Sequence, residues 1–250
     1  VITGTVLDEP ELGFGTTGTH VDQRRGVEAY GPADVAMEGR KSEIRLGIVG
    51  PPNLAEELAG WITKTAKSGA RAKEDPPTEL FPAFPGCSTT TGFLSAVKIP
   101  KDVWRPLTAK RLAPIKNAAT EAGRVEAAVA ICAEEVRNLH DRASVDVVMV
   151  IRPEGVPAGV PQGAATGADF HDLLKAELTT VTQPVQIIRP ATWRGASGVE
   201  DQATIAWNLF AALYYKAGGK PWRLLRPSNQ PSRCYVGVSF TALLLFPWVM

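Results

Sequence analysis

Four side chains of this 250-residue chain are suited to hold an anion: His171, Lys175, Gln183 and Lys216. His171 and Lys175 stand four apart in a stretch of helical spacing, so both project from one face. An imidazole donates to a phosphate oxygen or stacks on a base, and Lys175 brings a compact positive charge. Gln183 precedes a short extended run and can offer its amide to the same anion. Lys216 falls in the last turn of a later helix, so the chain must fold back to bring it near. A terminal phosphate carries more than one negative charge and needs several donors at once. Singly, each of the four reads as a solvated polar side chain. Together, within residues 168–225, they read as a pocket for the phosphorylated end of a nucleic-acid strand.

The elements that must position them follow from the apolar pattern. Asp169 is placed to cap a helix running to about Leu178. Pro184 to Ile188 reads as a short strand, and 191–198 as a loop. Glu200 and Asp201 open an amphipathic helix to Lys216 with acidic residues at its positive end, and Gly218 and Gly219 close it. Upstream, Glu43 to Gly50 reads as a short buried strand. Asn53 to Ser68 reads as a helix with Leu54, Leu58, Trp61 and Ile62 on one face. The turn between them, Gly50-Pro51-Pro52-Asn53, lacks the GxGxxG pattern, and its two prolines remove amide donors that a pyrophosphate would need. Residues 79–86 form an aromatic and proline-rich linker, and 92–100 a strand. Ala118 to Ala143 is the longest helical pattern, with Val125, Ala128, Val129, Cys132, Val136 and Leu139 on one stripe. Its Cys132 and His140 read as packing and surface residues. Val145 to Ile151 is a near-continuous apolar strand, as in a parallel sheet covered on both faces. Gly155 to Gly167 is a loop, and Cys234 to Phe240 reads as the first strand of a further sheet. Alternating strands and helices predict α/β layers with ligands at the strand ends.

Residues 1–42 carry turn signals at Glu9-Pro10, Thr17-Gly18 and Tyr30-Gly31-Pro32, predicting short extended pieces and loops. The run His20-Val21-Asp22-Gln23-Arg24-Arg25-Gly26 could meet a phosphate backbone, although spacing alone favours a salt-bridged surface turn. The net charge is only +1, so nucleic-acid binding would need a local cluster rather than a global field. The three cysteines (Cys87, Cys132, Cys234) are far apart without metal-ligand spacing. That fits a reducing, cytoplasmic compartment and argues against a disulfide framework or a structural zinc. The start has no signal-peptide pattern, and no apolar run is long enough to span a bilayer. The apolar tail Thr241 to Met250 reads as a buried strand cut short.

The order and spacing of His171, Lys175, Thr182-Gln183 and Lys216-Ala217-Gly218-Gly219 resemble the MID domain of Argonaute proteins joined to the start of the PIWI domain. The segment Asp201 to Leu224 is particularly similar to short prokaryotic Argonautes. So is the opening with Glu9-Pro10-Glu11-Leu12, His20-Val21-Asp22 and Tyr30-Gly31-Pro32. The resemblance runs from about residue 7 to 240 and is most specific over 168–224. It implies an N-terminal segment over 1–42 packing on the MID or PIWI domain. It implies a Rossmann-like MID domain over 43–195, with a central parallel sheet flanked by helices. The first elements of an RNase H-like PIWI domain follow over 196–250, apparently truncated. The stretch ahead of residue 43 fits the short class, which has no N-terminal or PAZ domain.

In that family the four residues matching His171, Lys175, Gln183 and Lys216 grip the 5′-phosphate of a guide strand. His20, Arg24 and Arg223 are candidates for additional nucleic-acid contacts. Eukaryotic relatives carry a further lysine where this chain has Ala212, and the resemblance to prokaryotic members implies a divalent cation, Mg²⁺, bridging the phosphate. The first catalytic aspartate of active PIWI domains is matched by Ser239, a far poorer Mg²⁺ ligand, which implies recognition without cleavage. The implied partners are a short guide RNA (or DNA), complementary single-stranded DNA, and an APAZ-containing effector protein bearing a TIR, sirtuin-like or nuclease domain, in prokaryotic defence. Two other readings stand beside this one. One is an α/β enzyme for a small phosphorylated metabolite with His171 as its base; the other is a truncated remnant that binds nothing.

Overall fold

In the computed structural model the described residues are 9–72, 81–142, 144–157, 169–195 and 200–225. The centre is β3 (Glu43–Gly50), which pairs in parallel with β6 (Val147–Ile151) on one edge. Its other edge is shared, first by β4 (Ala96–Lys98) and then by β5 (Trp104–Pro106). Outside β6 lies β7 (Val185–Ile188), also parallel, with Val148 opposite Val185 and Ile151 opposite Ile188. All of these pairings are parallel, and all five residues of β6 are buried. The continuous apolar run of β6 is explained by this: side chains alternate between the two faces, and both are covered. Val147, Met149 and Ile151 point into one core with α2 (Pro52–Ser68) and α7 (Gln202–Lys216). Val148 and Val150 point into a second core with α4 (Glu121–Arg142) and α5 (Phe170–Glu177).

The helix boundaries follow local chemistry. Asp169 accepts from Asp172 N–H at 2.9 Å and caps α5. Asp201 accepts from Ala203 N–H and Thr204 N–H at 3.0 and 3.1 Å and caps α7. These side chains satisfy amides that a first helical turn leaves without partners. At the other end of α7, Gly219 N–H donates to Tyr214 C=O and Gly218 N–H to Tyr215 C=O, a Schellman-type closure with Gly218 at φ 94°.

Several elements differ from the sequence expectation. The run around His20 is the end of a strand and the start of a helix rather than a surface turn. Asp22 caps α1 (Gln23–Tyr30) by accepting from Arg24 and Arg25 N–H. The strand expected over 92–100 shrinks to β4. Neither β5 nor α3 (Ala109–Asn117) was expected, and α3 holds Pro114 inside it. The loop expected over 191–198 opens instead with the short helix α6 (Pro190–Arg194), which has proline in its first turn. The expectations for Cys234 to Phe240, Ser239 and Thr241 to Met250 lie outside the described residues, as does most of the loop expected over 155–167.

The N-terminal segment closes onto the far end of the chain. Strands β1 (Leu12–Phe14) and β2 (Gly18–His20) form a hairpin, and β1 also pairs antiparallel with β8 (Arg223–Leu224). Beyond them, the carboxylate of Asp34, 4% exposed, accepts from the Tyr214 hydroxyl and from Lys220 N–H at 2.8 Å. Residues far apart in sequence thus fix the turn that ends α7. No helix among the described residues is long and apolar enough to cross a membrane.

Candidate phosphate-binding site

A cavity of about 420 Å³ opens at the carboxyl ends of β6 and β7, where open parallel sheets place their ligands. The first turn of α5 contributes His171. Strand β7 contributes Gln186. One face of α7 contributes Asn208 and Ala212, four residues apart. Two arginines complete it: Arg152 directly follows β6, and Arg189 directly follows β7. Arg152 N–H donates to Ile188 C=O at 2.9 Å, which fixes the two strand ends side by side. Among the described residues, neither guanidinium has an ion pair within salt-bridge distance. Burial lowers the Arg152 pKa from its ordinary value, and the Arg189 charge adds to this while Asp169 opposes it. Two like charges therefore face a common space that an anion would neutralise.

Lys216 lies one turn beyond Ala212 on the same face of α7. Its ammonium is half-buried and donates to Val185 C=O at 3.1 Å, beside the start of β7. Burial, and then the neighbouring charge of Lys175, lower its pKa from the ordinary lysine value. Lys175 and Lys216 are thus brought within electrostatic range of each other, although 41 positions separate them in sequence. Lys175 itself is exposed on α5, one turn after His171.

Gln183 does not join them in this arrangement. Its Oε1 is in contact with His140 Nδ1 on α4 and accepts from the Thr182 hydroxyl at 3.4 Å. The amide that lines the cavity belongs to Gln186 instead. His140, read from sequence as a surface residue, is partly buried by this contact. Of the additional candidates, His20 accepts from Asp22 N–H at 2.8 Å beside the α1 cap. Arg24 lies near Asp201: burial pushes that carboxyl up, but bonds from Thr204 and Ala203 together with the Arg24 charge outweigh it and hold the pKa down. Arg223 is exposed on β8 opposite Gly13. None of these three lines the cavity.

Sequence reasoning passed over Arg152, Arg189, Gln186 and Asn208. A signal for the arginines was present: each is a charged residue immediately after an apolar parallel strand, where ligands bind. The structure also places a carboxylate beside His171, whose Nδ1 lies 2.9 Å from Asp172 Oδ1. Both side chains are at least half exposed.

The donor set beside Ala212 does not fit a Mg²⁺ ion. Among the described residues, Asp169, His171 and Asp172 are the group close enough to share a metal. Mg²⁺ demands hard oxygen ligands in octahedral array. Asp169 is committed to capping α5, Asp172 does not line the cavity, His171 offers nitrogen, and Glu200, the other carboxylate of the lining, is outside that group and accepts from the Asn208 amide at 3.2 Å. Two guanidiniums occupy the same walls.

No protein-family model and no curated protein sequence matches the chain. The arrangement of helices over both faces of a mostly parallel sheet is similar to the fold of an Argonaute domain. The solved structure that carries this likeness is Clostridium butyricum Argonaute bound to a guide DNA (5′ deoxycytidine) and a 19-mer target DNA, at 17% sequence identity and a TM-score of 0.52. The match covers 87% of this chain and 24% of that one, so this chain spans about a quarter of the length of that Argonaute.

Proposed function

We propose that this chain is the guide-anchoring module of an Argonaute-type protein. Residues 43–195 act as a MID domain and 196–250 as the opening of a PIWI domain, with 1–42 packed against them. The module seats the 5′-phosphorylated end of a short guide strand, RNA or DNA, for recognition of complementary single-stranded DNA. What supports the reading is that Lys175 lies within electrostatic reach of the half-buried Lys216, near a cavity at the carboxyl ends of a parallel sheet whose lining includes Arg152 and Arg189. Two lysines within electrostatic reach each disfavour the charge of the other. An anion between them reverses that. The serine at position 239 accords with recognition without cleavage, and an APAZ-containing effector would then carry the output in prokaryotic defence.

The rival reading, an enzyme for a small phosphorylated metabolite, has one observation in its favour, the contact between His171 and Asp172. Both side chains of that pair are at least half exposed, and Asp172 does not line the cavity.

The test is binding of a short RNA with a 5′-phosphate against the same RNA with a 5′-hydroxyl. The wild type binds the phosphorylated strand more tightly. Hydrogen bonds to a charged group are worth roughly 1.5–3 kcal/mol, so Lys175→Ala or Lys216→Ala each reduces that preference by roughly tenfold or more. Equal affinity of the wild type for both RNAs rejects the proposal.

A further inference from the structure

The charge missing at Ala212 is present elsewhere in the same cavity. Ala212 lines one wall on α7, and Arg152 and Arg189 line the opposite side at the ends of β6 and β7. We propose that Arg152 and Arg189 are the anion-binding residues that complete this site, and that it therefore holds a terminal phosphate without a divalent cation. The inference rests on the terminal-phosphate reading above and assigns its charge to two residues outside the set of His171, Lys175, Gln183 and Lys216.

Three observations carry it. First, both arginines follow directly on adjacent parallel strands whose register is locked from Val148–Val185 to Ile151–Ile188, so their backbones are held side by side. A pair on rigid strand ends is set at a fixed separation and loses little entropy on binding. Second, neither guanidinium is neutralised: no carboxylate of the described residues lies within salt-bridge distance of either. Asp169, whose charge does reach Arg152, is engaged with the α5 amide of Asp172. Third, a guanidinium presents a planar fork of donors that matches phosphate oxygens in pairs, which a single lysine at position 212 would not. The cavity lining also holds two carboxylates, but each is engaged: Asp169 caps α5, and Glu200 accepts from the Asn208 amide at 3.2 Å.

Gln183 bears on this too. With its amide turned to His140, the site is short of one expected donor. Gln186, three residues on and in the cavity lining, stands beside the arginines; its amide donates to Ile187 C=O at 3.1 Å and would have to turn from it to take that place.

The experiment measures binding of 5′-phosphate and 5′-hydroxyl RNA by the full 250-residue chain, in EDTA and in Mg²⁺. The wild type is expected to keep its phosphate preference in EDTA. Arg152→Gln with Arg189→Gln is expected to lower that preference about tenfold or more in both buffers. Adding Ala212→Lys to the double variant is expected to restore part of it. Loss of preference in EDTA, with recovery in Mg²⁺, overturns the inference and leaves the terminal-phosphate reading standing. Retention of full preference by the double variant overturns it in the same way. If the wild type shows no preference in either buffer, the underlying reading fails and the inference falls with it. The wild-type comparison of EDTA with Mg²⁺ needs no variant, so misfolding of the double variant cannot shield the proposal.

Discussion

Removing the Asp34 carboxylate should loosen the whole carboxyl end of α7. Asp34 is 4% exposed and accepts two hydrogen bonds, from the Tyr214 hydroxyl and from Lys220 N–H. Burial, and then the hydrogen bond to Asp34, raise the Tyr214 pKa above its ordinary value, so the phenol stays a neutral donor at physiological pH. Asp34→Ala leaves the buried Tyr214 hydroxyl and the part-buried Lys220 N–H without this acceptor. Each such orphan costs roughly 1–3 kcal/mol, so the sum is roughly 2–6 kcal/mol, a large share of the ~5–15 kcal/mol by which domains are stable. For a domain of this size each kcal/mol moves the midpoint by roughly 2–4 °C. The melting temperature should therefore fall by about 10 °C. Urea unfolding followed by tryptophan fluorescence gives the free energy directly, since Trp207 and Trp193 are buried near the affected helix. Asp34→Asn keeps the shape and one acceptor and should lose about half as much. A loss below about 1 kcal/mol for Asp34→Ala would refute the view that this carboxylate clamps the turn after Lys216.

The two glycines of that turn should respond differently for separate reasons. A Cβ at Gly219 would lie 2.4–2.6 Å from ring atoms of Tyr214, a ring anchored through its hydroxyl, so Gly219→Ala should cost roughly 1–3 kcal/mol. A Cβ at Gly218 meets nothing within 4 Å, but φ is 94°, so Gly218→Ala should cost only about 1 kcal/mol of backbone strain, both read by urea unfolding. Burial pushes the thiols of Cys87 and Cys132 up to about 11 and about 12. Native protein at pH 8 should leave both unmodified by iodoacetamide in peptide mapping, and urea should expose both. Because the unfolded thiols release protons near 9.0 and the folded ones do not, these two sites hold their stabilising contribution below pH 9 and lose it as pH rises toward 11.

Much of the frame was legible. The apolar run of β6 read as a doubly covered parallel strand because a strand buried on both faces has no polar positions to spare. The α5 and α7 starts were legible at Asp169 and Asp201, where a carboxylate precedes a helical pattern. Helix α1 was missed although Asp22 supplies the same signal, since only Gly26 and Val27 of its eight residues are buried and the apolar stripe is too thin to read. Pro114 inside α3 and the five-residue length of α6 hid those helices in the same way.

By itself, the sequence determined which elements carry His171, Lys175 and Lys216, because caps and apolar periodicity act between neighbours. Which side chains share the cavity was decided only by the tertiary structure. Arg152 meets Arg189 across paired strands, Gln183 turns to His140 from 43 positions away, and Asp34 reaches Tyr214 across 180. Contacts of that range depend on sheet order and helix docking, which local spacing does not encode. The physical result is that Arg152 and Arg189, at strand ends, line the same cavity as Ala212, where local reading of α7 had no means of finding them.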